Sequence, residues 1–165
     1  MLGGGGAWRG PAGKVARPAG KRKASVSGVA GRAVMTNIGV GMADKPKVLI
    51  VDDDEQFALL MATHLRGAGY QPVTAVDAMQ GFMFALREAP AVILLDISMP
   101  AGGGMSLLGR LGKAVRTQLI PVVVVTARQE PDVETEARAN GAVAFLRKPI
   151  DRDTLLATVA AALKR

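Results

Sequence analysis

From residue 47 onward, short apolar runs alternate with stretches in which apolar residues recur every three or four positions. The runs are Lys47–Val51, Tyr70–Ala75, Ala91–Leu95, Ile120–Val125 and Ala142–Leu146. They are rich in branched residues, and three are almost continuously hydrophobic, as strands buried on both faces are. Between them the spacing predicts helices. Phe57, Leu60, Met61, His64 and Leu65 form one stripe, with Gly67 or Gly69 placed to end it. Met79, Phe82, Met83 and Leu86 form a second, behind Asp77 as the capping residue. A looser helix near Gly104–Leu111 is weakened by its glycines, and another spans Asp132–Asn140 and stops at Gly141. The last, Asp151–Leu163, offers Leu155, Leu156, Val159 and Leu163 to a core. Five strands alternating with five helices predict an α/β fold, a parallel sheet covered on both faces through right-handed crossovers.

Before residue 46 this periodicity is missing. Eleven of the 20 glycines lie ahead of residue 44, with too little apolar surface to offset the entropy of ordering them. Residues 1–45 are therefore predicted to be a disordered basic tail, and residues 46–165 one domain. Charge follows the same division. The first 43 residues hold seven Lys/Arg and no acid, which accounts for the whole net charge of +7, while 14 basic and 14 acidic residues cancel in the rest. Three readings of the tail stand side by side: a neutral extension, an over-long start with Met42 as the alternative beginning, and a basic arm for nucleic acid or anionic lipid. Lys21-Arg22-Lys23 is a short cluster with only Trp8 as an aromatic, so a nucleic-acid partner is expected at most through the tail. The 165 residues contain no cysteine, which excludes disulfides and thiolate chemistry and fits a reducing cytosol. No apolar run is long enough for a secretory leader or a membrane span, so a soluble, cytoplasmic protein is expected.

In a parallel sheet of this kind, ligands gather beyond the carboxyl ends of the strands. The first predicted strand runs into Asp52-Asp53-Asp54, the third into Asp96, the fourth into Thr126 and the fifth into Lys148-Pro149. Crowded carboxylates repel one another unless a cation sits among them, and an all-oxygen donor set suits Mg²⁺. Singly, each residue has an ordinary explanation: a helix cap, a strand threonine, a turn lysine. Together on one rim they suit phosphoryl transfer, with a carboxylate attacking in line and Lys148 and Thr126 holding phosphoryl oxygens.

The sequences Val-Asp-Asp-Asp-Glu at 51–55, Leu-Leu-Asp-Ile-Ser-Met-Pro at 94–100, Val-Val-Thr-Ala at 124–127 and Arg-Lys-Pro at 147–149 resemble the four motifs of response-regulator receiver domains. Their separations match that family too: 43 residues from Asp53 to Asp96, 30 more to Thr126 and 22 more to Lys148. The resemblance covers residues 47–163 and implies a flavodoxin-like sheet of strand order 2-1-3-4-5. It implies that Asp96 is the phosphoacceptor, with Mg²⁺ held by Asp53 directly, by Asp52 through water, by Asp96, and by the backbone carbonyl of Ser98. Thr126 and Phe145 match the switch pair, and Lys148 the lysine that pairs with the phosphoryl group. Asp54 is assigned to the start of the first helix, and His64, on an apolar stripe, is given no role.

Three positions depart from the family pattern. Ala-Gly-Gly-Gly at 101–104 keeps a glycine at Gly104 but has Gly103 where an acid is usual, the switch aromatic is Phe145 rather than Tyr, and Ser98 and Arg128 occupy variable flanking positions that tune phosphoryl lifetime in relatives. The resemblance implies a sensor histidine kinase or phosphotransfer protein as donor and an unidentified downstream protein as recipient of the signal. With the chain ending just after the fifth helix, no output domain is expected. Two other readings compete with this one. A receiver-fold interaction module working without phosphorylation conflicts with the intact acids, Thr126 and Lys148. An Mg²⁺-dependent phosphohydrolase with an aspartyl nucleophile conflicts with the adjacent Asp52-Asp53 pair and the lack of chain for a substrate cap.

Overall fold

A computed structural model describes residues 44–165, so the predicted disorder of the tail lies outside the described residues. The strands are β1 (Lys47–Val51), β2 (Gln71–Ala75), β3 (Val92–Leu95), β4 (Val122–Thr126) and β5 (Ala142–Arg147). The helices are α1 (Glu55–Gly67), α2 (Ala78–Glu88), α3 (Gly103–Lys113), α4 (Pro131–Ala139) and α5 (Arg152–Ala162), with a 3-10 turn at Pro100–Gly102. Every strand pair is parallel and the order is β2-β1-β3-β4-β5. β1, β3 and β4 occupy the middle and are buried on both faces, which is why they read as unbroken apolar runs.

The two faces sort alternate residues. Leu49, Val51, Ile93, Leu95 and Val124 point into one layer with Leu107, Leu111 and Val133. Val48, Ile50, Leu94 and Val125 point into the other with Met61, Leu65, Leu155 and Val159. Register then sets the rim. Val51 pairs with both Ala75 and Leu95, so the next residues, Asp52 and Asp96, emerge side by side where the chain turns from β1 toward β2 on one flank and β3 on the other.

Helix starts follow from capping. Asp54 accepts from the N–H groups of Gln56 and Phe57, Asp77 from that of Gln80 and Asp151 from that of Thr154. The predicted stripes of α1 and α2 need correction. α1 buries Ala58, Met61, Ala62 and Leu65, whereas Leu60 is exposed. α2 buries only Gly81 and Ala85, and Met79 and Met83 lie on the surface. A Cβ on Gly81 would stand 2.8 Å from Val51 Cγ1 and 3.0 Å from Leu107 Cδ2. α2 thus approaches the sheet through its smallest residues, and its bulky ones are turned to the flanks and to solvent.

Candidate acidic site at the strand ends

Two carboxylates and a hydroxyl are buried at this rim: Asp52 is 2% exposed, Asp96 4% and Thr126 0%. Each is held by backbone geometry. The Asp96 N–H donates to the Val51 carbonyl at 2.9 Å and the Asp52 N–H to the Ala75 carbonyl at 3.0 Å, continuing the ladders one step past the strands. The Lys148 N–H donates to the Thr126 carbonyl at 2.8 Å, which fixes the lysine beside β4.

The side chains converge as the spacing suggested. Lys148 Nζ donates to Asp52 Oδ2 at 2.7 Å and to Asp96 Oδ2 at 3.1 Å, bridging the two buried acids. The remaining oxygens are taken by backbone N–H groups, that of Asp54 on Asp52 Oδ1 at 2.9 Å and that of Ser98 on Asp96 Oδ1 at 2.7 Å. Asp53 is exposed, yet one oxygen from each of Asp52, Asp53 and Asp96 lies within 4.8 Å of the others. Burial pushes Asp52 above its ordinary value of 3.8 despite the opposing hydrogen bond from Lys148. For Lys148, burial works toward a lower value, but the two acids outweigh it and hold the ammonium above 10.5. A site that resists carrying its own negative charge is one that gains from a cation.

The hydroxyl side is equally connected. Thr126 Oγ1 and Ser98 Oγ are 2.6 Å apart, and the Arg128 N–H reaches Thr126 Oγ1 at 3.2 Å. Phe145 is half-buried in the layer beneath α3 and α4, paired in register with Val124, and the Arg147 guanidinium lies 5.5 Å from its ring centroid. Sequence reasoning missed two contacts. The Ser98 side chain, expected only as a flanking influence, contacts Thr126 directly through its hydroxyl. Phe57 packs against the core as its stripe predicts, and its ring centroid also lies 4.0 Å from Lys148 Nζ, a contact the stripe did not suggest. Its place three residues after Asp54, the N-cap of α1, was the available signal. The glycine at 104 has a steric reason, since a Cβ there would fall 2.3 Å from the Asp96 carbonyl oxygen. His64 sits in the last turn of α1, away from this rim.

Fold and rim together define a class: a doubly wound α/β domain with an acidic pocket at the switch point between its first and third strands. The family model of the response regulator receiver domain matches residues 48–160, and the chain belongs to that family, the receivers of two-component signalling. It is 34% identical over 117 residues to the protein PilH of Pseudomonas aeruginosa, a match covering 71% of this chain and 97% of that one. It is 36% identical over 120 residues to RpaA of Synechocystis sp., described as a DNA-binding dual master transcriptional regulator, covering 73% of this chain but 50% of that one. The chain thus spans nearly all of one curated relative and about half of another. The chemotaxis protein CheY4 of Vibrio cholerae superposes with a TM-score of 0.68 at 29% identity, over 72% of this chain and 99% of that one. Among the described residues, no helix is long and apolar enough to cross a membrane.

Proposed function

We propose that the domain accepts a phosphoryl group on Asp96 from a phosphohistidine of a sensor kinase or phosphotransfer protein in the cytoplasm. The carrying observation is the bridge of Lys148 between Asp52 and Asp96, with the buried Thr126 on the same rim. An Asp96 oxygen attacks phosphorus, the bond from phosphorus to the histidine nitrogen breaks, and the neutral imidazole leaves. Lys148 is placed to neutralise the incoming phosphoryl oxygens, and Thr126 to donate its hydroxyl once released from Ser98.

The donor set fits a hard divalent ion: oxygen donors only, with three carboxylates close together at the mouth of the pocket. Asp53, Asp52, Asp96 and the Ser98 carbonyl would hold Mg²⁺. When bound, Mg²⁺ supplies charge neutralisation on the phosphoryl oxygens. Movement of Thr126 toward the phosphoryl group vacates space beside β4 and β5, into which Phe145 turns, altering the surface of α4, β5 and α5 that a downstream protein reads. The domain is then a signalling phosphoacceptor rather than an enzyme with turnover on a separate substrate.

Incubation of the full chain with acetyl phosphate and Mg²⁺ tests this reading. The mass gain of one phosphoryl group is expected, absent when Mg²⁺ is chelated and absent in Asp96→Asn. No gain in the wild type would favour an interaction module that works without phosphorylation.

A further inference from the structure

The folded part is electrically neutral as a whole but strongly divided from end to end. In a doubly wound domain all helices run opposite to the strands, so helix ends and strand starts share one base, facing away from Asp96. The ends of α1 to α4 and the loop after α3 place Arg66, Arg87, Arg110, Lys113, Arg116 and Arg138 there. Lys45, Lys47, Lys164 and Arg165 join them from the start of β1 and the end of α5. Only Asp44, Glu88, Glu134 and Glu136 oppose them, with Glu88 already bound by Lys47 and Arg87, and Glu134 by Arg138. The other ten acids lie at or near the Asp96 end with only four cations.

Cations at helix ends complement the helix dipole, and that alone would account for part of this pattern. It does not account for Val115 and Leu119. These are 82% and 89% exposed, more than any other large apolar residues described, and both stand in the loop between α3 and β4. The loop is braced rather than loose. Thr117 is buried, its hydroxyl donates to the Leu111 carbonyl at 2.8 Å, and Arg116 donates to the Leu86 carbonyl at 3.0 Å. The two aliphatic side chains are therefore held out in water on the same loop that carries Arg116 and follows Lys113. Beside them a cleft of about 350 Å³ opens between α3 and α4, lined in part by Lys113, Gln118 and Asn140.

We propose that this base seats on an anionic lipid surface, with its lysines and arginines among the headgroups and Val115 and Leu119 at the acyl boundary. Charge complementarity selects an anionic surface. The two projecting aliphatic side chains select a bilayer over nucleic acid, whose phosphates give them nothing to enter. The acidic end is repelled by the same surface, so docking would turn the Asp96 pocket toward the aqueous side, open to a phosphodonor.

The test is co-sedimentation of the full chain with phosphatidylcholine vesicles, with and without phosphatidylserine. Residues 1–43 carry +7 by themselves, so every variant keeps them. Binding is expected only with phosphatidylserine, and is expected to weaken as salt rises. Val115→Ser with Leu119→Ser removes apolar surface without changing charge and should lower vesicle affinity by roughly tenfold or more. Lys113→Glu with Arg116→Glu should abolish most of the binding. Both sites are exposed, and unchanged phosphorylation by acetyl phosphate would show that the variants fold. Vesicle binding unaffected by the serine pair would overturn the proposal by assigning it to the tail. So would absence of vesicle binding, whether or not the chain binds DNA or an acidic protein instead.

Discussion

Gly104 and Gly103 are neighbours in sequence and opposites in consequence. A Cβ on Gly104 would meet the Asp96 carbonyl oxygen at 2.3 Å and Ile97 Cα at 2.4 Å, both backbone atoms that cannot step aside alone. A Cβ on Gly103 would meet only Ala78 Cβ, at 3.5 Å, with φ at −57°. Gly104→Ala is therefore expected to cost about 1–3 kcal/mol and to displace Asp96, whereas Gly103→Ala is expected to be neutral or mildly stabilising. Urea denaturation of the two variants, with acetyl phosphate reactivity alongside, separates these outcomes. The missing acid at 103 thus leaves the support of Asp96 intact, because the steric demand falls on 104.

At the level of elements, α5 shows how a cap ties helix to pH. Hydrogen bonds from the Thr154 hydroxyl and backbone N–H hold the Asp151 carboxylate below its ordinary 3.8. Its folded value is depressed, so its contribution is present above pH 3.8 and is lost as pH falls through the folded value. Asp151→Asn keeps an acceptor for the cap but cannot titrate. Thermal midpoints measured from pH 6 downward should show the wild type losing its advantage over this variant in acid; a constant difference would contradict the assignment. The strands were legible because a parallel sheet buried on both faces demands unbroken branched runs, and the caps because Asp54, Asp77 and Asp151 precede apolar periodicity. α2 was not. Eight of its eleven residues, AMQGFMFALRE, are apolar or glycine, so several stripes fit the sequence equally well. Closeness of approach decided among them, and Gly81 and Ala85 won over Met79 and Met83. Strand ends slipped by a residue or two for a related reason: Tyr70, Ala91 and Ile120 are apolar, but pairing stops short of them.

For the whole molecule, the acidic pocket is a local cost that the proposed Mg²⁺ would turn into stability. Asp52 has a folded value above 3.8, so its contribution favours folding below that pH and is lost as pH rises through the folded value. At neutral pH Lys148 offsets the cost of the ionised group only in part, and the proposed Mg²⁺ beside Asp53 and Asp96 would complete the neutralisation. Mg²⁺ at a hundredfold excess over its dissociation constant should therefore add about 2.7 kcal/mol. The rise in thermal midpoint should shrink in acid and largely vanish in Asp53→Asn; an equal rise in that variant would place the ion elsewhere. The site was legible because strand register carries residues far apart in sequence to one rim. Ser98 Oγ on Thr126 and Phe57 against Lys148 were not, since those contacts depend on side-chain directions set only by the finished fold. The central claim, that Asp96 and no other carboxylate receives the phosphoryl group, is tested most directly by reducing the phosphorylated chain with borohydride and sequencing its peptides by mass spectrometry. An acyl phosphate is converted to the alcohol, so homoserine is expected at position 96 and nowhere else; homoserine at 52 or 53, with position 96 still aspartate, would contradict the account.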